Sequence, residues 1–203
     1  VKAILWIIGS IGTIVIAIIL LFIYEMAPNA SMETKAKELG EDYIQKHFDG
    51  QAEVYDVLYD NMGNHEFDYA AKVTHKKTGV NFLIYETRDS QVMKDTYASS
   101  YYEEQLERDL QPFVKDMEDV VSHLVHISDV PGKYQGEDSL PDFKDLNLVP
   151  NVIIDLDRAA LDDDEEKMEE LFVFMKENLR IERGGGRFVY SPSSGDEMLQ
   201  MSY

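Results

Sequence analysis

The chain has 203 residues, with 39 Asp and Glu against 19 Lys and Arg, a formal net charge of −20, and no cysteine. That balance excludes a nucleic-acid binder, because binding to phosphates rests on Lys and Arg displacing counterions. The missing thiols exclude disulfides, thiolate metal sites, thiol nucleophiles and lipid-modified cysteine anchors. A 44% hydrophobic share with 12 Tyr and 9 Phe predicts a folded core rather than a disordered acidic chain.

Residues 3–24, AILWIIGSIGTIVIAIILLFIY, carry no charge. As a helix they would span roughly 33 Å, enough to cross a hydrocarbon core of about 30 Å. Trp6 and Tyr24 stand near the two ends, where amphipathic rings favour the membrane interface. The run is longer than the roughly 7–15 residues of a signal-peptide core, and the following YEMAPNASM has no small-x-small cleavage pattern. An uncleaved transmembrane anchor over 1–25 is therefore predicted, with 26–32 as a linker. Lys2 on one side and Lys35 and Lys37 on the other nearly balance. The short N-terminal tail suits a signal-anchor that sends the bulk of the chain out of the cytoplasm.

Ala36, Leu39, Tyr43, Ile44, His47 and Phe48 fall at helical spacing and predict a helix over 33–48, capped by Ser31 or Thr34 and ended by Asp49-Gly50. His47 reads as a half-buried histidine of that apolar face. Three strand candidates follow. AEVYDVLYD, HEFDYAAKVTH and VNFLIYETR are separated by the turn signals Asn61–Asn64 and Lys76–Gly79. The short turns predict an antiparallel meander covered by the first helix.

MKDTYASSYYEEQLERDLQPFVKDMEDVVSHLVHI reads as a long helical region sharing one face through Tyr102, Leu106, Leu110, Phe113, Met117, Val120, Val121 and Leu124, with a kink or split at Pro112. On such a helix His123 and His126 lie one turn apart, although no third metal ligand is marked by spacing. The helix, sheet and following long helix make a unit over 33–127. Residues 128–149, rich in Gly, Pro and Asp, read as a surface loop held by Leu140 and Phe143. A strand–helix–strand unit follows over 150–191: strand 151–156, helix 162–179, the turn Arg183–Gly186 and strand 187–190. The tail 192–203 is predicted to be loose. The fold class is α+β.

The stretch NVIIDLDRAALDDDEEKMEE concentrates carboxylates just after an apolar strand. Asp155 and Asp157 match the start of a haloacid-dehalogenase-type phosphatase motif, but Ala159 replaces its Thr or Val and 46 residues remain after Asp157. A calcium loop would want a central glycine where Arg158 and two alanines stand. A weak divalent-cation site would use Asp155, Asp157 and Asp162. The simpler reading uses every residue: Asp155 and Asp157 leave a strand, one of Asp162, Asp163 and Asp164 caps the next helix, and Glu165 and Glu166 complement its positive end. RGGGR lacks the Lys-Ser/Thr ending of a phosphate loop. Asn29-Ala30-Ser31 matches a glycosylation acceptor close to the membrane. No catalytic residue and no cofactor is predicted.

The membrane segment, the helix AKELGEDYIQKHF, the strand Gly79–Tyr85 and Lys94-Asp95-Thr96-Tyr97 resemble the small membrane-anchored PepSY/YfjL-like proteins of Bacillus-type bacteria, and the later strand–helix–strand unit looks like the second half of YfjL-like chains. The resemblance spans most of 30–190. It implies a helix packed on an antiparallel sheet, a Gram-positive envelope location and a role in restraining or sensing other proteins, and it carries no catalytic residues. The expectation is a membrane-anchored, extracytoplasmic, non-catalytic interaction module with a protein partner and Tyr101 and Tyr102 as contact candidates. The alternatives are a phosphohydrolase or weak cation binder at Asp155 and Asp157, and an anchored regulator facing the cytoplasm.

Overall fold

A computed structural model of the chain describes residues 15–18, 21, 27–128, 130, 132–191 and 198–203. The predicted anchor falls almost wholly outside them. Val15–Ile18 and Leu21 are helical. Among the described residues no helix is long and apolar enough to cross a membrane.

Helix α1 spans Ala30–His47 and begins at Asn29, whose side chain accepts the Ser31 and Met32 N–H groups. The cap is thus Asn29 rather than Ser31 or Thr34, because its extended backbone turns the carboxamide onto the orphan N–H groups of the first turn. Asp49 and Gly50, both at positive φ, turn the chain out of the helix as expected. Strands β1 (Ala52–Tyr59), β2 (Tyr69–His75), β3 (Asn81–Glu86) and β4 (Met93–Asp95) form an antiparallel sheet in the order β1-β2-β3-β4. α1 lies on one face, burying Ala36, Tyr43 and Ile44 over Ala71, Val73, Phe82 and Ile84. Gly40 makes this close approach available: a Cβ there would stand 2.6 Å from the Ala71 Cβ. The helix-on-antiparallel-sheet arrangement is as predicted.

The long helical region 93–127 is not one helix. Met93–Asp95 is β4, Tyr97–Lys115 is α2, and Val120–Ile127 is a strand, β5. α2 runs through Pro112, which sits in its last turn, and ends at Asp116; Asp119 at positive φ then reverses the chain into β5. The 128–149 segment is a loop with two short 3-10 turns, fastened by buried Phe143 and half-buried Leu140.

β6 (Pro150–Leu156), α3 (Asp164–Leu179) and β7 (Gly185–Tyr190) form the expected strand–helix–strand unit, with β6 and β7 parallel. Two expectations fail beside it. The glycine run begins β7 instead of ending in a turn, because Gly186 lets Met168 and Phe172 of α3 sit directly on the strand. The end of the chain is also not loose: Met198–Ser202 forms β8, antiparallel to β7. A second sheet, β5-β6-β7-β8, results, separate from the first.

Both α2 and α3 cover one face of this second sheet, and Leu106, Leu110, Met168 and Leu171 pack with Val125, Val152, Ile154, Leu156 and Phe188 in one core. α2 joins the two halves. Its first residue, Tyr97, is buried against Phe48 and Phe82 of the first core, while Tyr102 lies in the second, with Tyr101 in ring contact with both tyrosines.

Candidate functional site

The acidic stretch resolves into separate parts. Asp155 is half-buried near the end of β6 and accepts a hydrogen bond from the Ser122 hydroxyl on β5. Asp157 is exposed, with its N–H given to the Asp119 carbonyl, and Asp162 is exposed before α3. Among the described residues no group of three or more His, Asp or Glu side chains could hold a metal. The helix is preceded by Asp163, whose side chain makes no capping bond.

Asp164 instead turns inward. Its carboxylate takes both Nη atoms of Arg158, at 2.6 and 2.9 Å, and the Leu161 N–H at 2.8 Å. Burial raises its pKa, but the Arg158 guanidinium, the Leu161 N–H and the Tyr190 hydroxyl outweigh that and hold the carboxyl below its ordinary value. Arg158 also lies over the Tyr190 ring. The arrangement staples the β6–α3 connection to the end of β7.

The histidines take structural places. His47 is exposed and stacks on Tyr43, so it is not half-buried. His123 and His126 are on a strand, where side chains three apart point to opposite faces, so the one-turn relationship does not exist. His123 Nε2 meets the Glu107 carbonyl and His126 pairs with Glu103. His75, which the sequence did not single out, is buried. Its Nδ1 accepts the Thr78 N–H at 3.2 Å, leaving Nε2 to donate to Asp138 at 2.7 Å. Thr78 Oγ1 contacts the same Nδ1 at 2.9 Å and accepts the Val80 N–H at 3.4 Å. A Thr–His–Asp line exists, but its hydroxyl closes a tight turn, and the imidazole fastens that turn to the 128–149 loop.

Tyr102 is fully buried and donates to the Pro141 carbonyl, so it presents no surface to a partner. Tyr101 is half-buried and lines a cleft with Gln105, Arg108 and Leu140.

The surface best formed for contact is the face of the second sheet opposite α2 and α3. Strand register aligns three rows across it: Ser122–Asp155–Val189–Met198, Leu124–Ile153–Arg187–Gln200 and His126–Asn151–Gly185–Ser202. Leu124 is 53% exposed, Met198 59%, and Val121 beside the β5 bulge 70%. Ile153 and Val189 are half-exposed between them. Arg187, in the middle row, donates to Gln200 at 3.1 Å. An apolar centre with a central arginine and a polar rim has the composition of a protein contact patch. No single strand displays it in sequence, because it exists only once four strands are in register.

Comparison with known proteins gave no matching family model, no matching curated protein and no matching solved structure.

Proposed function

We propose that this chain is a non-catalytic protein-interaction module, held at a membrane by its N-terminal segment with the α+β body outside the cytoplasm, and that it binds through the bare face of its second sheet. The observation that carries the reading is that face itself: apolar side chains of four strands stand open or half-open around Arg187, while the opposite face packs against α2 and α3. An inhibitory or sensing role in a bacterial envelope follows from the PepSY/YfjL-like resemblance. The net charge of −20 favours basic protein partners.

The acidic stretch supports this reading over a phosphohydrolase, since Asp164 is committed to Arg158 and Asp155 to Ser122. A photoreactive residue at Leu124, compared with one at Met62 in an exposed turn, tests the reading in the native host. A discrete protein crosslinked from Leu124 and not from Met62 is expected. Equal crosslinking from both, or none from either, contradicts it.

A further inference from the structure

Four strands end the two sheets, and three of these edges are blocked. β1 is broken by a bulge between Val54 and Asp56 and carries Glu53 and Asp56. At β4, Gln135 donates to the Asp95 carbonyl and the Gly136 N–H to the Asp95 carboxylate. At β5, Glu107 accepts the Val125 N–H at 3.0 Å and Glu103 the Ile127 N–H at 2.8 Å. Bulges, charges and covering side chains are the usual protections against unwanted strand pairing.

Among the described residues β8 has none of them. Met198–Ser202 holds no charge and no proline, its register with β7 is unbroken, and among the described residues β7 is its only strand partner. Gly184 and Tyr203 exchange two backbone hydrogen bonds, which fixes the parity of the ladder. Leu199 and Met201 turn their N–H and C=O groups toward β7, and Met198, Gln200 and Ser202 turn theirs outward.

We infer that β8 is a strand-addition site, taking an extended cationic polypeptide segment as a fifth strand of the second sheet. The inference rests on the interaction-module reading and deepens it. The charge beside the edge selects the occupant. Phe172 of α3 packs on Tyr203 at the end of β8 with ring centroids 4.5 Å apart. Helical spacing sets Glu165, Glu169 and Lys176 on the flank shared with Phe172, with Glu166 next to them. An added strand would run beside this net-negative flank, so basic side chains on its helix-facing side are favoured. A second copy is disfavoured on the same ground. Antiparallel β8–β8 pairing keeps both α3 helices on one face and sets Glu165 and Glu169 against their own copies.

The test is amide hydrogen exchange on the full chain in mild detergent, with an alternating lysine–valine peptide as probe and a glutamate–valine peptide as control. The lysine peptide is expected to slow exchange at Met198, Gln200 and Ser202 by about tenfold or more, and the glutamate peptide to leave them unchanged. Gln200→Pro, at an outward-facing edge position that tolerates proline, is expected to abolish the slowing at Met198 and Ser202 while lowering the unfolding midpoint by no more than a few degrees, the exposed Arg187 bond being lost. Unchanged exchange with the lysine peptide overturns the inference, as does equal slowing by both peptides. Slowing without peptide that grows with chain concentration assigns the edge to a second copy and also overturns it. Protection confined to Leu124 and Ile153 removes the strand-addition site yet leaves the module reading standing.

Discussion

Arg158 and Asp164 face each other across the β6–α3 connection in a two-pronged ion pair, with the Asp164 side chain 3% exposed and that of Arg158 17%. The most charge-dense part of the sequence therefore holds a fold contact at its centre. Breaking a buried pair leaves the remaining charge uncompensated, which costs more than the pair itself contributes. Asp164→Ala is expected to lower unfolding free energy by about 3–5 kcal/mol. Asp155→Asn and Asp157→Asn, at half-buried and exposed positions, are expected to cost less than about 1 kcal/mol each. Chemical denaturation of the three variants checks the ranking, and a reversed order contradicts the assignment.

The same carboxylate sets an acid limit. Its folded pKa is depressed, so its contribution is fully present above the unfolded value of about 3.9 and is lost as pH falls through the lower folded value. Stability from this group should be flat from neutral pH to about pH 5 and fall below about pH 4. Asp164→Asn should remove that part of the acid limb in a denaturation series against pH.

Glu103 has the opposite sign. Burial pushes its pKa up, against the Ile127 N–H and His126, which pull it down. The folded state therefore holds the proton more tightly than the unfolded state, and this contribution is lost as pH rises through the folded value. Glu103→Gln keeps an acceptor for Ile127 and removes the buried charge, so at neutral pH it is expected to be at least as stable as the parent. Glu103→Ala orphans the Ile127 N–H and is expected to cost about 1–3 kcal/mol. Equal behaviour of the two variants would contradict the edge-capping role.

Gly186 lets α3 approach β7. A Cβ there would run into the Met168 sulfur and stand 3.1 Å from Phe172 Cε1. Gly186→Ala is expected to destabilise by about 1–3 kcal/mol, as overpacking does. Gly63→Ala tests backbone strain without crowding, because that glycine has φ +71 and open space around it. Thermal unfolding should show a smaller cost of Gly186→Ala in a Met168→Ala background than in the parent chain, and the same cost of Gly63→Ala in both.

Much of the fold was legible because its elements obey clean periods. α1, β2, β3, β6 and α3 each show apolar residues at spacing that matches how they are buried. β5 was not legible because Val120, Val121 and Leu124 continue the helical stripe of α2, while the reversal between them is made by Asp119 at positive φ rather than by Gly or Pro. β8 was hidden because MLQMS is short and follows a Ser, Pro and Gly-rich stretch. The Arg158–Asp164 pair closes through tertiary burial that spacing alone does not encode. The open face needed the register of all four strands.

The most direct measurement uses the absence of cysteine. The Leu124→Cys and Met62→Cys chains would each carry one thiol, at sites where the native side chains are 53% and 76% exposed. Each is treated with a membrane-impermeant maleimide in intact cells of the native host and again after purification. Met62→Cys is expected to label from outside the cell, and Leu124→Cys to label several-fold more slowly relative to it in cells than when purified, because a partner covers the face. An unchanged ratio would contradict binding through that face, and a silent Met62→Cys that reacts only once the membrane is opened would contradict the extracytoplasmic placement.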